Sequence, residues 1–260
     1  MLSTSCKGEP GEKLVAEICV DSVYSAAVAE SAGAQRVELC SSLAEGGVTP
    51  SAGLIEITRK NISIGLHVLI RPRRGDFLYS DLEFEIMKKD IELAKRMGAD
   101  GVVIGILKAD GNIDVGRTRE LIEVSHPLSV TFHRAFDLTP DPFKSLEDLL
   151  ALKVDRLLTS GQEETALQGA ALIKELVKKS ANQLIVMPGG GINENNISKI
   201  VAITGVKEFH ASARKKVSSS MGYCRNYPAM SSMQQLSEYE NLVADVNKIR
   251  AIREVSATVR

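Results

Sequence analysis

The sequence predicts an α/β protein whose single domain is a (β/α)8 barrel, the TIM-barrel architecture. Eight short β-rich runs alternate with helical segments along the 260 residues, and repeating strand–helix units build a parallel sheet. The length also suits one barrel of about 250 residues. An open doubly wound sheet is the alternative, but the G-x-G-x-x-G that usually follows its first strand is absent after residue 19.

The predicted strands are runs rich in β-branched and other apolar residues. They are LVAEIC (14–19), RVELC (36–40), GLHVLIR (65–71), GVVIGI (101–106), SVTFHR (129–134), RLLTS (156–160), QLIVM (183–187) and KEFHAS (207–212). In AGAQRVEL, MGADGVVI and TGVKEFH, a glycine stands where a left-handed residue ends a helix. A β-rich run follows each glycine within a few residues, as in the αβ loops of a barrel.

Residues 81–97 show the helical period between two of these strands. Their apolar residues recur at i, i+4 and i+7-type spacing and predict one buried stripe. The stripe contains Leu82, Ile86, Met87, Leu93, Ala94 and Met97. On the other face, Glu85–Lys89 and Glu92–Arg96 are oppositely charged pairs one helical turn apart.

Two segments lie outside this alternation. Residues 1–13 are predicted to be a mobile N-terminal segment before a barrel domain that spans 14–256. Residues 213–235 show little periodicity and are predicted to form a long loop before the last helix. Loops of this length are usually lids, binding loops or disordered segments, and disorder is favoured here over a lid.

The composition excludes several classes of function. The net charge is −1, which gives no support for a nucleic-acid partner or an anionic membrane surface. No apolar run approaches the roughly 20 residues of a membrane span. The first residues, MLSTSCKGEPGEK, contain no apolar core of a signal peptide. A cytoplasmic location with four reduced cysteines is therefore expected.

Alternation along the strands predicts polar side chains inside the barrel, because the helix-facing positions are apolar. The inward-facing set contains Glu17, Glu38, His67, Arg71, His133, Glu208 and His210. One interpretation is an ionic plug in which the three glutamates are balanced by Arg71, Arg156 and the histidines. The other is a polar site at the C-terminal mouth. The position of several of these residues at strand ends favours the site.

A Glu-x-Cys pattern occurs in two sequential strands, in EICVDS (17–22) and ELCSS (38–42). Cys19 and Cys40 are predicted to share the inner face of neighbouring strands, about 5 Å apart by strand spacing. Two thiols at this separation suit a soft ion such as Cu(I). Inert buried cysteines are the alternative. The sequence does not decide whether Cys224, Met230 and Met233 are further ligands.

Glycines and arginines near strand ends predict an anion-binding site. Gly189, Gly190 and Gly191 follow the seventh strand, where backbone N–H groups of such barrels often bind phosphate. Gly161 follows the sixth strand and could line the same place. Arg71 begins the long loop RPRRGDFLYSD and could attract an anion. The alternatives are a tight turn for the glycines and a charged surface loop for the arginine.

The stretch TFHRAFD (131–137) supplies a candidate for acid/base chemistry. His133 ends the fifth strand, and histidine is the usual general base near neutral pH. A hydrogen-bonded core histidine beside a solvated arginine is an equal alternative. If the protein is an enzyme, the candidate catalytic residues are His133, Glu17, Glu38, Arg71 and His210.

Six segments carry a resemblance to a known family, and they occur along the chain in the order EICVDS, VELCSSLAEGGVTPS, RPRRGDFLYSD, VTFHRAFD, TSG and VMPGGGI. Through them the chain resembles the CutC family of copper homeostasis proteins from about residue 14 to 250. The resemblance implies a (β/α)8 barrel, a cytosolic location that extends to the nucleus in eukaryotes, and homo-oligomers, either dimers or tetramers. It also implies one Cu(I) per chain, held by Cys19 and Cys40. It supplies no enzyme activity.

Two hypotheses therefore remain. In the first, the protein is a non-catalytic copper homeostasis factor that binds Cu(I) through Cys19 and Cys40. In the second, it is an enzyme that acts on a small phosphorylated or carboxylated metabolite at the barrel mouth. Glycines 189–191 and Arg71 would then hold the anion, and His133 would transfer a proton with Glu17 or Glu38 as its partner.

Overall fold

A computed structural model describes residues 14–225 and 237–257 and contains the predicted barrel. All eight predicted strands are confirmed, each within a few residues of its predicted bounds. They are β1 (Val15–Val20), β2 (Arg36–Leu39), β3 (Gly65–Leu69), β4 (Gly101–Ile104), β5 (Ser129–Phe132), β6 (Arg156–Thr159), β7 (Ile185–Pro188) and β8 (Glu208–Ala211). The predicted N-terminal segment, residues 1–13, lies outside the described residues.

The strands form one parallel sheet with the hydrogen-bonded order β7-β6-β5-β4-β3-β2-β1-β8. This order is that of a barrel with a seam between β7 and β8. The pairing of β1 with β2 and with β8 determines which side chains are neighbours inside the barrel. Cys19 of β1 lies opposite Glu38 of β2, and Glu17 of β1 lies opposite both Arg36 and His210. These five side chains, from three adjacent strands, therefore point into the barrel at neighbouring levels.

Helices cover the outside of the sheet. They are α1 (Val23–Ser31), α2 (Ala52–Asn61), α3 (Asp81–Arg96), α4 (Val115–Ser125), α5 (Pro142–Ala151), α6 (Ala170–Ser180), α7 (Ile197–Thr204) and α8 (Val246–Ala257). Short 3-10 turns lie at Leu43–Glu45 and Arg134–Leu138. The three glycines predicted to end helices have positive φ angles of 87°, 84° and 69° at Gly33, Gly98 and Gly205.

Helix α3 is where predicted, but its buried face differs from the predicted stripe. Leu82 and Ile86 are 78% and 49% exposed, whereas Phe84 and Ile91 are buried together with Met87. The sequence pattern did not show which of the apolar residues of α3 face the barrel. The charged pairs also shift, because Lys88 bonds Glu85 and Lys89 bonds Glu92, at i,i+3 rather than i,i+4 spacing.

The loop predicted at 213–235 contains a strand at its start. Strand β9 (Arg214–Ser218) pairs antiparallel with β10 (Glu240–Ala244), which leads directly into α8. The prediction missed this ribbon because two of its residues, Lys215 and Lys216, are exposed and the segment lacks an apolar period. Its order comes from tertiary contact, since the Ala244 N–H donates to Ser25 Oγ of α1 at 3.1 Å. Residues 226–236 lie outside the described part of the chain.

The apolar core lies between the sheet and the helices. Ile18, Val37, Leu66, Phe132 and Phe209 point away from the barrel axis and are fully buried. The apolar residues therefore occupy the helix-facing side, and charged residues such as Glu17, Arg36 and Glu208 occupy the interior. Within residues 14–225 and 237–257, no helix is both long enough and apolar enough to cross a membrane.

Candidate functional site

Cys19, Glu38 and Cys40 form a buried cluster at the C-terminal ends of β1 and β2. Their sulfur and oxygen atoms all lie within 4.8 Å of one another. The two Sγ atoms are 3.6 Å apart, and the Cys19 thiol donates to Glu38 Oε2 at 3.1 Å. Cys19 and Cys40 are at different heights along the barrel axis, because Cys19 pairs with Glu38 in the strand register. This stagger brings a carboxylate to the two thiols and makes a three-ligand cluster.

The cysteine cluster lies in apolar surroundings. Leu69 and Val103 are buried against them, and Leu43 of the first 3-10 turn packs on the same cluster. The hydrogen bond with Cys40, burial and the Glu38 carboxylate together raise the pKa of Cys19 well above its usual range. A metal ion that binds here must therefore displace a proton from Cys19.

His210 of β8 connects this cluster to Glu17. Its Nδ1 lies 2.7 Å from Glu17 Oε1, and its Nε2 lies 3.8 Å from Glu38 Oε2. Burial alone would lower the pKa of His210, but Glu38 and the bond to Glu17 raise it well above its usual range. An imidazolium between two carboxylates follows from this geometry.

Beneath the thiols, charged residues form a buried ionic network. Arg36 donates from Nε to Glu17 and from Nη2 to Glu208, both at 2.5 Å. Arg156 Nε adds a bond of 2.9 Å to Glu208. Burial would raise the pKa of Glu17, but Arg36 and then His210 hold it below its usual range. Arg36 is thus the central cation of the network. The ionic plug predicted from the sequence did not include it.

A pocket of about 160 Å³ opens at the C-terminal mouth of the barrel, above the thiols. Its polar lining contains Cys19, Glu38, Arg71, His133, Arg134 and His210. Most of the candidate catalytic residues thus line one pocket, whereas Glu17 is fully buried below it. A cavity of about 380 Å³ at the opposite end, beside Val15 and Lys207, holds none of the candidate residues.

His133 is a buried, uncharged imidazole in this pocket. Its Nδ1 accepts the Ala135 N–H at 3.1 Å, which leaves the ring hydrogen on Nε2. Burial and then the positive charge of Arg71 lower its pKa to about 3. At neutral pH the ring is therefore a hydrogen-bond donor rather than a cation. Its role in acid/base chemistry stays a prediction.

Arg71 is buried and is held by backbone carbonyls. Its Nη1 donates to the carbonyls of Glu45 and Gly47, and its Nη2 donates to that of Gly75. These bonds join the loops that follow β2 and β3. Arg71 therefore does not take part in the ionic plug predicted for it, and its place in the barrel interior is taken by Arg36.

The predicted anion-binding glycines differ in their availability. The N–H groups of Gly161 and Gly189 donate to Thr159 Oγ1 and Thr159 O, so both are occupied within the protein. Gly190 and Gly191 have φ angles of 102° and 70°. Anion binding by the glycine run therefore stays a prediction that concerns Gly190 and Gly191.

Of the additional soft ligands considered from the sequence, the structure describes Cys224, which is not part of the cluster. Cys224 is an exposed free thiol, whereas Cys19 and Cys40 are buried. Met230 and Met233 lie outside the described residues. The clustered ligands that the structure describes are thus the two cysteines and Glu38. Glu38 was predicted to face inward, but its role beside the thiols depends on the register.

The fold and site define an eight-stranded α/β barrel with a dithiol–carboxylate cluster at its mouth. The CutC family model matches residues 14–215, and the chain belongs to the CutC family. The copper homeostasis protein cutC homolog of Homo sapiens is 48% identical over 243 residues, which cover 94% of this chain and 89% of the relative.

Two further comparisons agree with this membership. A CutC family protein of Parabacteroides distasonis is 50% identical over 240 residues, covering 92% of this chain and 99% of the relative. The crystal structure of the putative copper homeostasis protein CutC from Streptococcus agalactiae aligns with a TM-score of 0.74 and 36% identity. The alignment covers 76% of this chain and 98% of that structure.

Proposed function

We propose that this member of a copper homeostasis family binds one Cu(I) per chain through the thiolates of Cys19 and Cys40 and takes part in copper trafficking and tolerance. The observation that carries the proposal is the 3.6 Å separation of the two sulfur atoms inside the barrel. Cu(I) is a soft ion that prefers sulfur ligands. Two sulfurs that are already adjacent can bind the ion without a large rearrangement of the backbone.

Glu38 supports a metal site in addition to the thiols. It is 5% exposed, and its Oε2 accepts from the Cys19 thiol at 3.1 Å. His210 Nε2 lies 3.8 Å from Glu38 Oε2. Its positive charge can offset the negative charge that Cys19 gains when metal binding releases the thiol proton. The pocket above gives a metal a route from the barrel mouth to Cys19.

Copper affinity is expected to rise with pH, because binding releases a proton from Cys19. The pKa of Cys19 is raised well above its usual range, so the proton is present throughout the neutral and mildly alkaline range. Each proton released increases the apparent affinity about tenfold per pH unit. Anaerobic competition of Cu(I) against a chromophoric chelator at several pH values would measure both this slope and the stoichiometry.

Cys224→Ser is the control for this titration, because Cys224 is exposed and free. It should retain one Cu(I) per chain and the same dependence on pH. An affinity that is independent of pH would contradict binding by a thiolate of Cys19. A stoichiometry that falls in the control variant would assign the ion to Cys224.

The proposal includes a cytoplasmic location that extends to the nucleus and assembly as a homo-oligomer, either a dimer or a tetramer. Three exposed apolar side chains in and before α3, those of Leu78, Leu82 and Ile86, support a subunit contact there. Leu82 and Ile86 are four residues apart and share one face of α3, and Leu78 precedes the helix.

The pocket also supports a second candidate function, an enzyme that acts on a small phosphorylated or carboxylated metabolite. His210 is oriented by Glu17 and lines the pocket, as a general acid and its orienting carboxylate would do beside a substrate. The two functions are distinguished by copper. An enzyme of this kind would turn over its substrate in copper-free protein, and a copper carrier would not.

A further inference from the structure

Arg71 carries a buried positive charge that forms no ion pair with a carboxylate among residues 14–225 and 237–257. It is 8% exposed, and none of the ion pairs in the described chain includes it. Three carbonyl oxygens solvate its Nη atoms and the Tyr79 hydroxyl lies close to the guanidinium, but Nε is buried without a hydrogen-bond partner among the described residues. A buried donor without a partner is unfavourable, and a buried charge without a counter-ion is more so. Arg71 also lines the mouth pocket.

His133 adds a second unpartnered donor to the same wall. It is 5% exposed, and its Nε2, which carries the ring hydrogen, is buried without a partner. Phe77 lies between the two residues, with its ring centroid 4.9 Å from that of His133 and 5.0 Å from Arg71 Cζ. The arginine and the imidazole N–H are thus neighbours, and neither is used by the copper ligands.

Arg134 extends this wall toward the glycine run. Its Nε donates to Asp137 and its Nη2 donates to Ser160 Oγ, which fixes the guanidinium and leaves Nη1 without a protein partner in the described chain. A Cβ built on Gly190 would lie 3.4 Å from this Nη1. Gly190 therefore lies beside the guanidinium, and its φ of 102° favours glycine at this position.

We propose that the mouth pocket binds a small organic or inorganic oxyanion on the wall formed by Arg71, His133 and Arg134, opposite the copper thiols. The wall offers two charged groups and a neutral N–H donor, which is the chemistry that recognises a carboxylate or a phosphate group. The pocket has a volume of about 160 Å³, whereas one water molecule occupies about 30 Å³. It therefore has room for a small polyatomic anion. This site is distinct from the dithiol cluster, and it deepens the second candidate function by naming the residues that would hold its anionic ligand.

The test uses copper-free, reduced protein, so that its result does not depend on whether copper binds. Equilibrium dialysis with labelled phosphate and with labelled glycolate, at constant ionic strength in sodium chloride, is expected to detect one oxyanion per chain. Arg134→Gln should weaken binding at least about tenfold, because a hydrogen bond to a charged group is lost. Arg74→Gln is the matched control, since Arg74 is an exposed arginine of the loop after β3 that does not line the pocket. It should bind as the wild type does.

A nitrogen-15 NMR measurement on the wild type keeps the test decisive if Arg134→Gln does not fold. The Nε2–H resonance of His133 should shift on addition of the bound oxyanion and should not shift with chloride. Binding of phosphate alone or glycolate alone would support the proposal and identify the favoured group. Binding of neither anion, equal weakening by Arg134→Gln and Arg74→Gln, or an unchanged His133 resonance at saturation would overturn it.

Discussion

Replacing either Cys19 or Cys40 with serine is expected to remove most of the Cu(I) affinity, and replacing both should be scarcely worse than replacing one. The serine hydroxyl is a hard ligand that Cu(I) binds poorly. Loss of a direct ligand should cost more than the roughly 10–100-fold that follows loss of an outer-shell partner. The two positions are non-additive because one remaining thiolate cannot complete the site. Chelator competition under anaerobic, reducing conditions measures all three variants.

Two further variants show whether the loss is specific. Cys224→Ser removes an exposed thiol and should leave the affinity unchanged. Glu38→Gln keeps the shape of the cluster and removes one charge, so its effect should be smaller than that of either cysteine. Full affinity in both single cysteine variants would mean that the paired Glu-x-Cys segments serve packing alone.

Replacing Arg36 with methionine is expected to lower the free energy of unfolding by about 3–5 kcal/mol, the usual cost of removing one partner of a buried ion pair. The variant leaves the Glu17 carboxylate buried without its guanidinium, since Glu17 is 0% exposed. Glu208 loses one of its two arginines and keeps Arg156. Urea unfolding, monitored by circular dichroism, measures the difference.

Lys60→Met is the matched control, because Lys60 and Glu56 form an exposed ion pair on α2. Such pairs contribute at most about 0.5 kcal/mol on a helix. Adding Glu17→Gln to Arg36→Met should recover part of the stability, since the uncompensated charge is then removed. If Arg36→Met were no more destabilising than Lys60→Met, the network would not be an important determinant of stability.

The barrel could be predicted from the sequence because its signals are local. Strand runs, helical periods and the glycines at Gly33, Gly98 and Gly205 each report on a few neighbouring residues. The β9–β10 ribbon could not be predicted, because its order depends on a contact between Ala244 and Ser25, far apart in the chain. The buried face of α3 was misplaced for a similar reason, since the barrel wall decides which apolar residues it covers.

The candidate site could be predicted in composition but not in geometry. Alternation along β1 and β2 correctly placed Glu17, Cys19, Glu38 and Cys40 in the interior. The stagger between the strands, which sets Cys19 opposite Glu38, is not encoded in either segment alone. The sequence therefore predicted two adjacent thiols but not that the Glu38 carboxylate lies beside them.

Arg36 and Arg71 show the same limit for charges. Arg71 was predicted to balance the glutamates, but only three-dimensional distances reveal which arginine meets them. Arg36 lies 2.5 Å from both Glu17 and Glu208, whereas Arg71 binds loop carbonyls at the mouth. The neutral state of His133 likewise depends on burial and on Arg71, neither of which the TFHRAFD motif contains.

The most direct test of the copper site is a crystal structure of protein loaded with Cu(I) under anaerobic, reducing conditions, with anomalous diffraction collected at the copper edge. The proposed function predicts one anomalous peak per chain, within bonding distance of both Cys19 Sγ and Cys40 Sγ. A peak at Cys224, or copper bound without contact to these two sulfur atoms, would contradict it.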